Sequence, residues 1–269
     1  MARESTRGRA LLDSKIPMSK APFSFASAAL AVVLTSCAPA TRPPVTAPAG
    51  TAARAIRPTD ELHWVRGSAE YRAVTIQTFR AALEAAEEAS AGRPAGSWAV
   101  CVDADDTIID NSGYEAELQA AGRVHTDEAW VAWVKKRARP AVPGATAFLA
   151  GVRALGGRVA VVTNTQASLC DDVAANLVLA GLPYDVLVCR PDDAGDRKEP
   201  RFRLVTEGTA RPDLGPLEIL VFVGDNIQDF PERSQRLRDE PESAFGEFGV
   251  RYFALPNPIY GTWEKNSPR

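Results

Sequence analysis

The amino-acid sequence predicts an α/β protein built on a doubly wound parallel sheet. Short apolar runs that stop abruptly at polar residues recur at Val100–Val102, Arg158–Thr163 and Leu217–Val223. Before them, over Asp60–Ser90, apolar residues return every three or four positions, the spacing of one helix face, and further helical stretches lie between them. Strand and helix thus alternate, the pattern that lays helices on both faces of a parallel sheet. The chain is long enough for a sizeable core, with 269 residues and 45% hydrophobic content.

Taken in order, the amino terminus reads as a targeting segment. Arg3, Arg7, Arg9, Lys15 and Lys20 precede the apolar stretch Ala21–Leu34, too short to span a bilayer as a mature helix. Met18, followed by Ser-Lys, reads as a natural start, which makes residues 1–17 an upstream extension. The apolar stretch ends in Leu34-Thr35-Ser36-Cys37, which resembles the lipobox of bacterial lipoproteins. That resemblance implies a lipidated Cys37, residues 1–37 as a signal peptide, an exported lipoprotein, and anchorage to the outer membrane or cell surface. Residues 38–59, rich in Pro, Ala and Thr, suit a tether rather than a core. From Asp60 to Ser90, Leu62, Val65, Ala69, Ala73, Ile76, Phe79, Leu83 and Ala86 keep helical spacing, and Gly92–Gly96 breaks it. The first strand follows, and then a helical stretch over 113–143 with Trp130 and Trp133. Beyond it the pattern predicts a helix over Gly144–Leu155, a strand over Arg158–Thr163 and a helix over Ala167–Ala180. A short strand Asp185–Val188, a polar loop holding Lys198, a strand Leu217–Val223 and a last strand Arg251–Ala254 complete it.

A net charge of −3, with Arg and Lys scattered, gives no electrostatic case for a nucleic-acid polymer as partner. No Cys-x-x-Cys or His cluster supports zinc. Cys101 sits inside the first strand as a small apolar residue, while nothing in the spacing of Cys170 and Cys189 requires them to pair. His63 and His125 have no evident partner and read as surface or structural residues.

The chemistry concentrates at strand ends, where parallel sheets hold their sites. Residues 99–114 read AVCVDADDTIIDNSGY, so Asp103, Asp105 and Thr107 follow the first strand at intervals of two. Two carboxylates there can hold a hard cation and leave an oxygen free to attack phosphorus. A calcium loop starting at Asp103 fails, because Ile108 and Tyr114 stand where an EF-hand needs Gly and Glu. Thr163 ends the second strand, Lys198 lies in DRKEPRF, and Gly224-Asp225 ends LEILVFVGD with Asp229 four residues on. This ordered set resembles the haloacid dehalogenase (HAD) superfamily of phosphatases. DNSGY, GDNIQDF and PNPIYGTWE narrow the resemblance to bacterial class C acid phosphatases, surface lipoproteins acting as acid phosphatases or 5′-nucleotidases.

The resemblance implies a HAD-like, Rossmann-like domain over 60–269, with a small helical cap (about 113–143) inserted after the first core strand. It implies Asp103 as nucleophile through an aspartyl-phosphate and Asp105 as acid and base. Mg²⁺ would be held by Asp103, Asp225 and the backbone carbonyl of Asp105, with Asp229 orienting ligands or water. Thr163 and Lys198 would bind phosphoryl oxygens, with Asn164 a weaker candidate. Tyr114, Trp130 and Tyr260 are stacking candidates for a nucleobase, Tyr260 the strongest. The implied substrate is a small phosphate monoester such as a nucleoside monophosphate; a homo-oligomer stays open. The rival reading, a non-catalytic phosphate-ester-binding or storage lipoprotein on the same scaffold, sits poorly with a retained Asp103. A receiver-type signalling domain sits poorly with the export signal. Ala104, Asp106 and Gly113 depart from the family's common residues without removing a catalytic group.

Overall fold

A computed structural model describes residues 57–268. The signal and lipobox region 1–37, Cys37 included, and the tether up to residue 56 lie outside the described residues. Five strands form one parallel sheet: β1 (Trp98–Val102), β2 (Arg158–Gln166), β3 (Val186–Arg190), β4 (Glu218–Gly224) and β5 (Tyr252–Ala254), in the order β3-β2-β1-β4-β5. The order reverses between β1 and β4, and their carboxyl ends make the crevice in which doubly wound sheets bind ligands. Every residue of β1 is buried, as a strand covered on both faces must be.

The faces divide by strand periodicity. Val100 and Val102 enter a core with Phe79, Phe148 and Val173, supplied by α2 (Ala69–Ser90), α5 (Ala145–Ala154) and α6 (Cys170–Leu179). Ala99 and Cys101 point the other way, into a core with Phe202 and Val205 of α7 (Glu199–Thr206). In β4 the pairing slips by one residue beside Ala99 and Val100, which sets Val102 opposite Val223. The next residues, Asp103 and Gly224-Asp225, therefore leave the sheet side by side, and Asp103 N–H donates to the Val223 carbonyl at 3.0 Å.

Several expectations shift. The continuous helical pattern over 60–90 is two helices, α1 (Asp60–Gly67) and α2. Ser68 divides them, its hydroxyl accepting the Tyr71 N–H at 3.0 Å as the N-cap of α2. β2 runs past Thr163 to Gln166. Lys198, expected in a polar loop, is the buried N-cap of α7. The helical stretch after β1 is α3 (Ser112–Ala120) and α4 (Asp127–Lys135), packed around Tyr114, Leu118 and Trp133. Cys170, at the start of α6, and Cys189 of β3 form a disulfide, with Cα atoms 5.9 Å apart; Cys101 is free and buried. Among the described residues, no helix is long and apolar enough to cross a membrane.

Candidate active site

The strand ends bring Asp103, Thr163, Lys198, Asp225 and Asp229 to one place. Lys198 reaches it because α7 begins there. Arg201, one turn on, donates to the Thr163 carbonyl, the Asn164 side chain and the Asp196 and Arg197 carbonyls, locking that helix start against the end of β2. The Lys198 ammonium bridges two carboxylates, pairing with Asp103 and with Asp229 Oδ1 at 2.8 Å. Burial works against its charge, but Asp103 and Asp229 outweigh burial and hold it above its ordinary value. Asp103 is pushed well above the usual carboxylate range by desolvation. Lys198 counteracts this, and the charges of Asp229, Asp225 and Asp105 add to it.

Asp225 accepts from Thr107 Oγ1 at 3.0 Å and Asn257 Nδ2 at 2.8 Å. Burial, then the charges of Asp229 and Asp106, raise it to about 8. Asp229 is held by the Asn226 N–H at 2.8 Å. Gly224 leaves room for it: a Cβ there would stand 2.3 Å from Asp229 Cβ. Carboxylate oxygens of Asp103, Asp225 and Asp229 lie within 4.8 Å of one another. Three oxygen donors so close, two of them pushed toward protonation by burial and by each other, fit a hard divalent cation that would relieve the repulsion.

The Asp105 carboxylate is not in that trio. It turns toward Arg139 Nη1 (2.8 Å), Asn111 Nδ2 (3.1 Å), Thr165 Oγ1 (2.7 Å) and Thr163 Oγ1 (3.2 Å). Only its backbone carbonyl is left for the metal role that the resemblance implies. Thr163 thus contacts Asp105 as well as facing the site, while Asn164 is engaged by Arg201. Tyr260 reaches the first motif through its hydroxyl, which donates to Asp106; that carboxyl also accepts the Asn111 N–H at 2.9 Å and is raised by burial to about 7. Tyr114 is placed elsewhere. It is buried against Trp130 and Trp133, with its hydroxyl 2.9 Å from His125 Nδ1, and its hydroxyl makes no hydrogen bond to Asp103 or Asp105. His125 accordingly gains a structural partner. A surface groove of about 660 Å³ beside Phe202, Arg203 and Ile219 contains none of these residues.

Sequence reading missed Arg139, Thr165 and Asn257. Arg139 stands in KKRARP, where nothing local separates it from its solvated neighbours. Thr165 lies beyond the expected end of its strand, and Asn257 is inside the tail motif, where Tyr260 is the residue with a recognisable role.

Residues 31–263 match the family model described as HAD superfamily, subfamily IIIB (acid phosphatase). The fold is similar to the class C acid phosphatase from Bacillus anthracis with tungstate bound, at 24% identity and TM-score 0.66, covering 77% of this chain and 90% of that one. A second structure of the Bacillus anthracis enzyme gives 25% identity and TM-score 0.66, covering 77% and 89%.

Proposed function

The chain belongs to the acid phosphatases of HAD subfamily IIIB and is a phosphomonoesterase; from that premise we propose that it uses Mg²⁺ and an aspartyl-phosphate to hydrolyse nucleoside monophosphates in the cell envelope. The observation that carries the mechanism is the Lys198 ammonium shared by Asp103 and Asp229, with Asp225 beside them at the switch point of the sheet.

A buried carboxyl attacks phosphorus only when ionised, and burial opposes ionisation. Lys198 works against that cost at Asp103 and favours its ionised form. Asp103 then bonds to phosphorus as the bond to the leaving oxygen breaks, and Asp105 gives that oxygen a proton. In the second half a water attacks the aspartyl-phosphate and Asp105 takes its proton back, releasing inorganic phosphate. Thr163 and Lys198 would hold phosphoryl oxygens through both halves. Asp103, Asp225, Asp229 and the Asp105 carbonyl would hold the ion, which supplies positive charge to the phosphoryl group. Tungstate, an oxyanion of phosphate-like shape, bound to the Bacillus anthracis enzyme supports an oxyanion site in the family.

Phosphate release from nucleoside monophosphates tests this reading. Activity should need Mg²⁺ and stop with EDTA, and Asp103→Asn, nearly isosteric, should lose at least about a thousandfold in kcat with an unchanged Tm. Substantial turnover by Asp103→Asn would sink the covalent route.

Export rests on Leu34–Cys37, and the disulfide between Cys170 and Cys189 supports an oxidising compartment. Lipidated protein should partition into detergent and Cys37→Ser into the aqueous phase, because two or more acyl chains are needed for stable anchoring. Wild type in the aqueous phase would remove the lipoprotein reading.

A further inference from the structure

Asp105 accepts four hydrogen bonds whose donors are not chemically equivalent. Oδ1 receives Arg139 Nη1 and Asn111 Nδ2. A guanidinium has no acceptor atom, and neither does an amide nitrogen, so neither can accept a hydrogen bond from a proton on Oδ1. The amide cannot turn over to relieve this. Asn111 Oδ1 accepts the Trp133 Nε1–H at 3.0 Å, and an indole nitrogen only donates. Oδ2 receives the hydroxyls of Thr165 and Thr163, which can rotate from donating to accepting.

Arg139 is itself held in place. It is 2% exposed, and Asn176 of α6 brackets its backbone, accepting its N–H at 3.0 Å and donating to its carbonyl at 2.9 Å. The following Pro140 further confines its backbone to extended conformations. Asp105 is the carboxylate it pairs with, and Nη2 has no partner among the described residues.

We propose that Arg139 is a positioning residue for proton transfer: by occupying Oδ1 of Asp105 it assigns the transferable proton to Oδ2. This rests on Asp105 as the acid and base of the phosphatase reading. As the bond between phosphorus and the leaving oxygen breaks, its electron pair passes to that oxygen, which takes the proton from Oδ2. In the second half the attacking water returns a proton to Oδ2. Trp133 acts at one remove by orienting Asn111.

The test compares glycerol phosphate, whose alkoxide leaves only with a proton, with p-nitrophenyl phosphate, whose leaving group departs without one. The ratio of their kcat/KM values isolates the first half-reaction. Arg139→Met in the full chain should lower kcat/KM for glycerol phosphate by about 30- to 100-fold, a partial loss of the ~10²–10⁴-fold that general acid catalysis typically contributes. The loss should exceed that for p-nitrophenyl phosphate at least about tenfold. Arg139→Lys, which restores a donor, should recover part of it, and Trp133→Phe should shift the ratio in the same direction by a smaller factor. These two read the same ratio if Arg139→Met does not fold. Equal losses on both esters at wild-type Tm, or a ratio unmoved in Arg139→Lys and Trp133→Phe, would overturn the proposal. Wild-type protein inactive on both esters would instead bring down the phosphatase reading beneath it.

Discussion

At the scale of single residues, the contrast between Lys198 and Tyr260 shows how far a motif defines a role. Lys198 reads in the sequence as one charge in a polar run, yet it is among the most completely buried side chains, and two carboxylates account for that. A buried ammonium without them would lose its proton or unfold its surroundings. The sequence offers Tyr260 as a stacking ring, and the structure adds a second attachment, its hydroxyl on Asp106. The two uses are separable. Tyr260→Phe keeps the ring and should keep the preference for nucleoside monophosphates over glycerol phosphate. Tyr260→Ala should lose about 1–3 kcal/mol of that preference, the cost of one base–aromatic stack. Chemistry at Asp103 is common to both substrates and cancels in the ratio of kcat/KM values. An unchanged ratio in Tyr260→Ala would make the residue structural.

At the scale of elements, the end of β4 is built around the absence of a side chain. Gly224 carries no positive φ, so its need is spatial: an added Cβ would meet Asp229 Cβ at 2.3 Å and Oδ2 at 2.4 Å. Gly157, just before β2, is equally crowded, but by the ring of Trp98 at 2.4 Å, far from the carboxylates. Both Gly→Ala changes should destabilise by about 1–3 kcal/mol through overpacking. Only Gly224→Ala should also displace Asp229 from Lys198 and from the carboxylates of Asp103 and Asp225. Its kcat/KM should fall by about ten- to a hundredfold while Gly157→Ala stays near wild type. Matched thermal scans and phosphate-release assays decide it, and equal activities would show that Asp229 is free to shift.

At the scale of the whole molecule, the site stores electrostatic repulsion that the rest of the fold sustains. Burial raises Asp106 to about 7 and Asp225 to about 8, against an ordinary value of 3.8. Without metal, the folded state therefore holds more protons than the unfolded chain from about pH 4 to about pH 8. Stability must fall as pH rises through that window. A bound divalent cation favours the ionised forms and works in the opposite sense. Thermal scans in EDTA should show Tm decreasing from about pH 5 to about pH 8, and Mg²⁺ should raise Tm most at the upper end. A Tm in EDTA that climbs over this range would mean these carboxyls ionise freely in the fold.

The order of strands and helices, the sheet class and the acidic strand-end motifs were legible because each is written in contiguous residues. Apolar alternation, a glycine break or a carboxylate after an apolar run needs no distant partner to be seen. The division at Ser68 was local too, but an uninterrupted apolar stripe concealed it. Other features were decided only by tertiary structure. Arg139 meets Asp105 across 34 residues, Lys198 meets Asp103 across 95, and Tyr260 meets Asp106 across 154. The pairing of Cys170 with Cys189 belongs to the same class, since it depends on how α6 and β3 lie together. A polar side chain in a variable stretch carries no periodicity that tells a solvated charge from a buried one. Its environment is set by which strand ends the sheet order brings together, and that order is a property of the packed molecule.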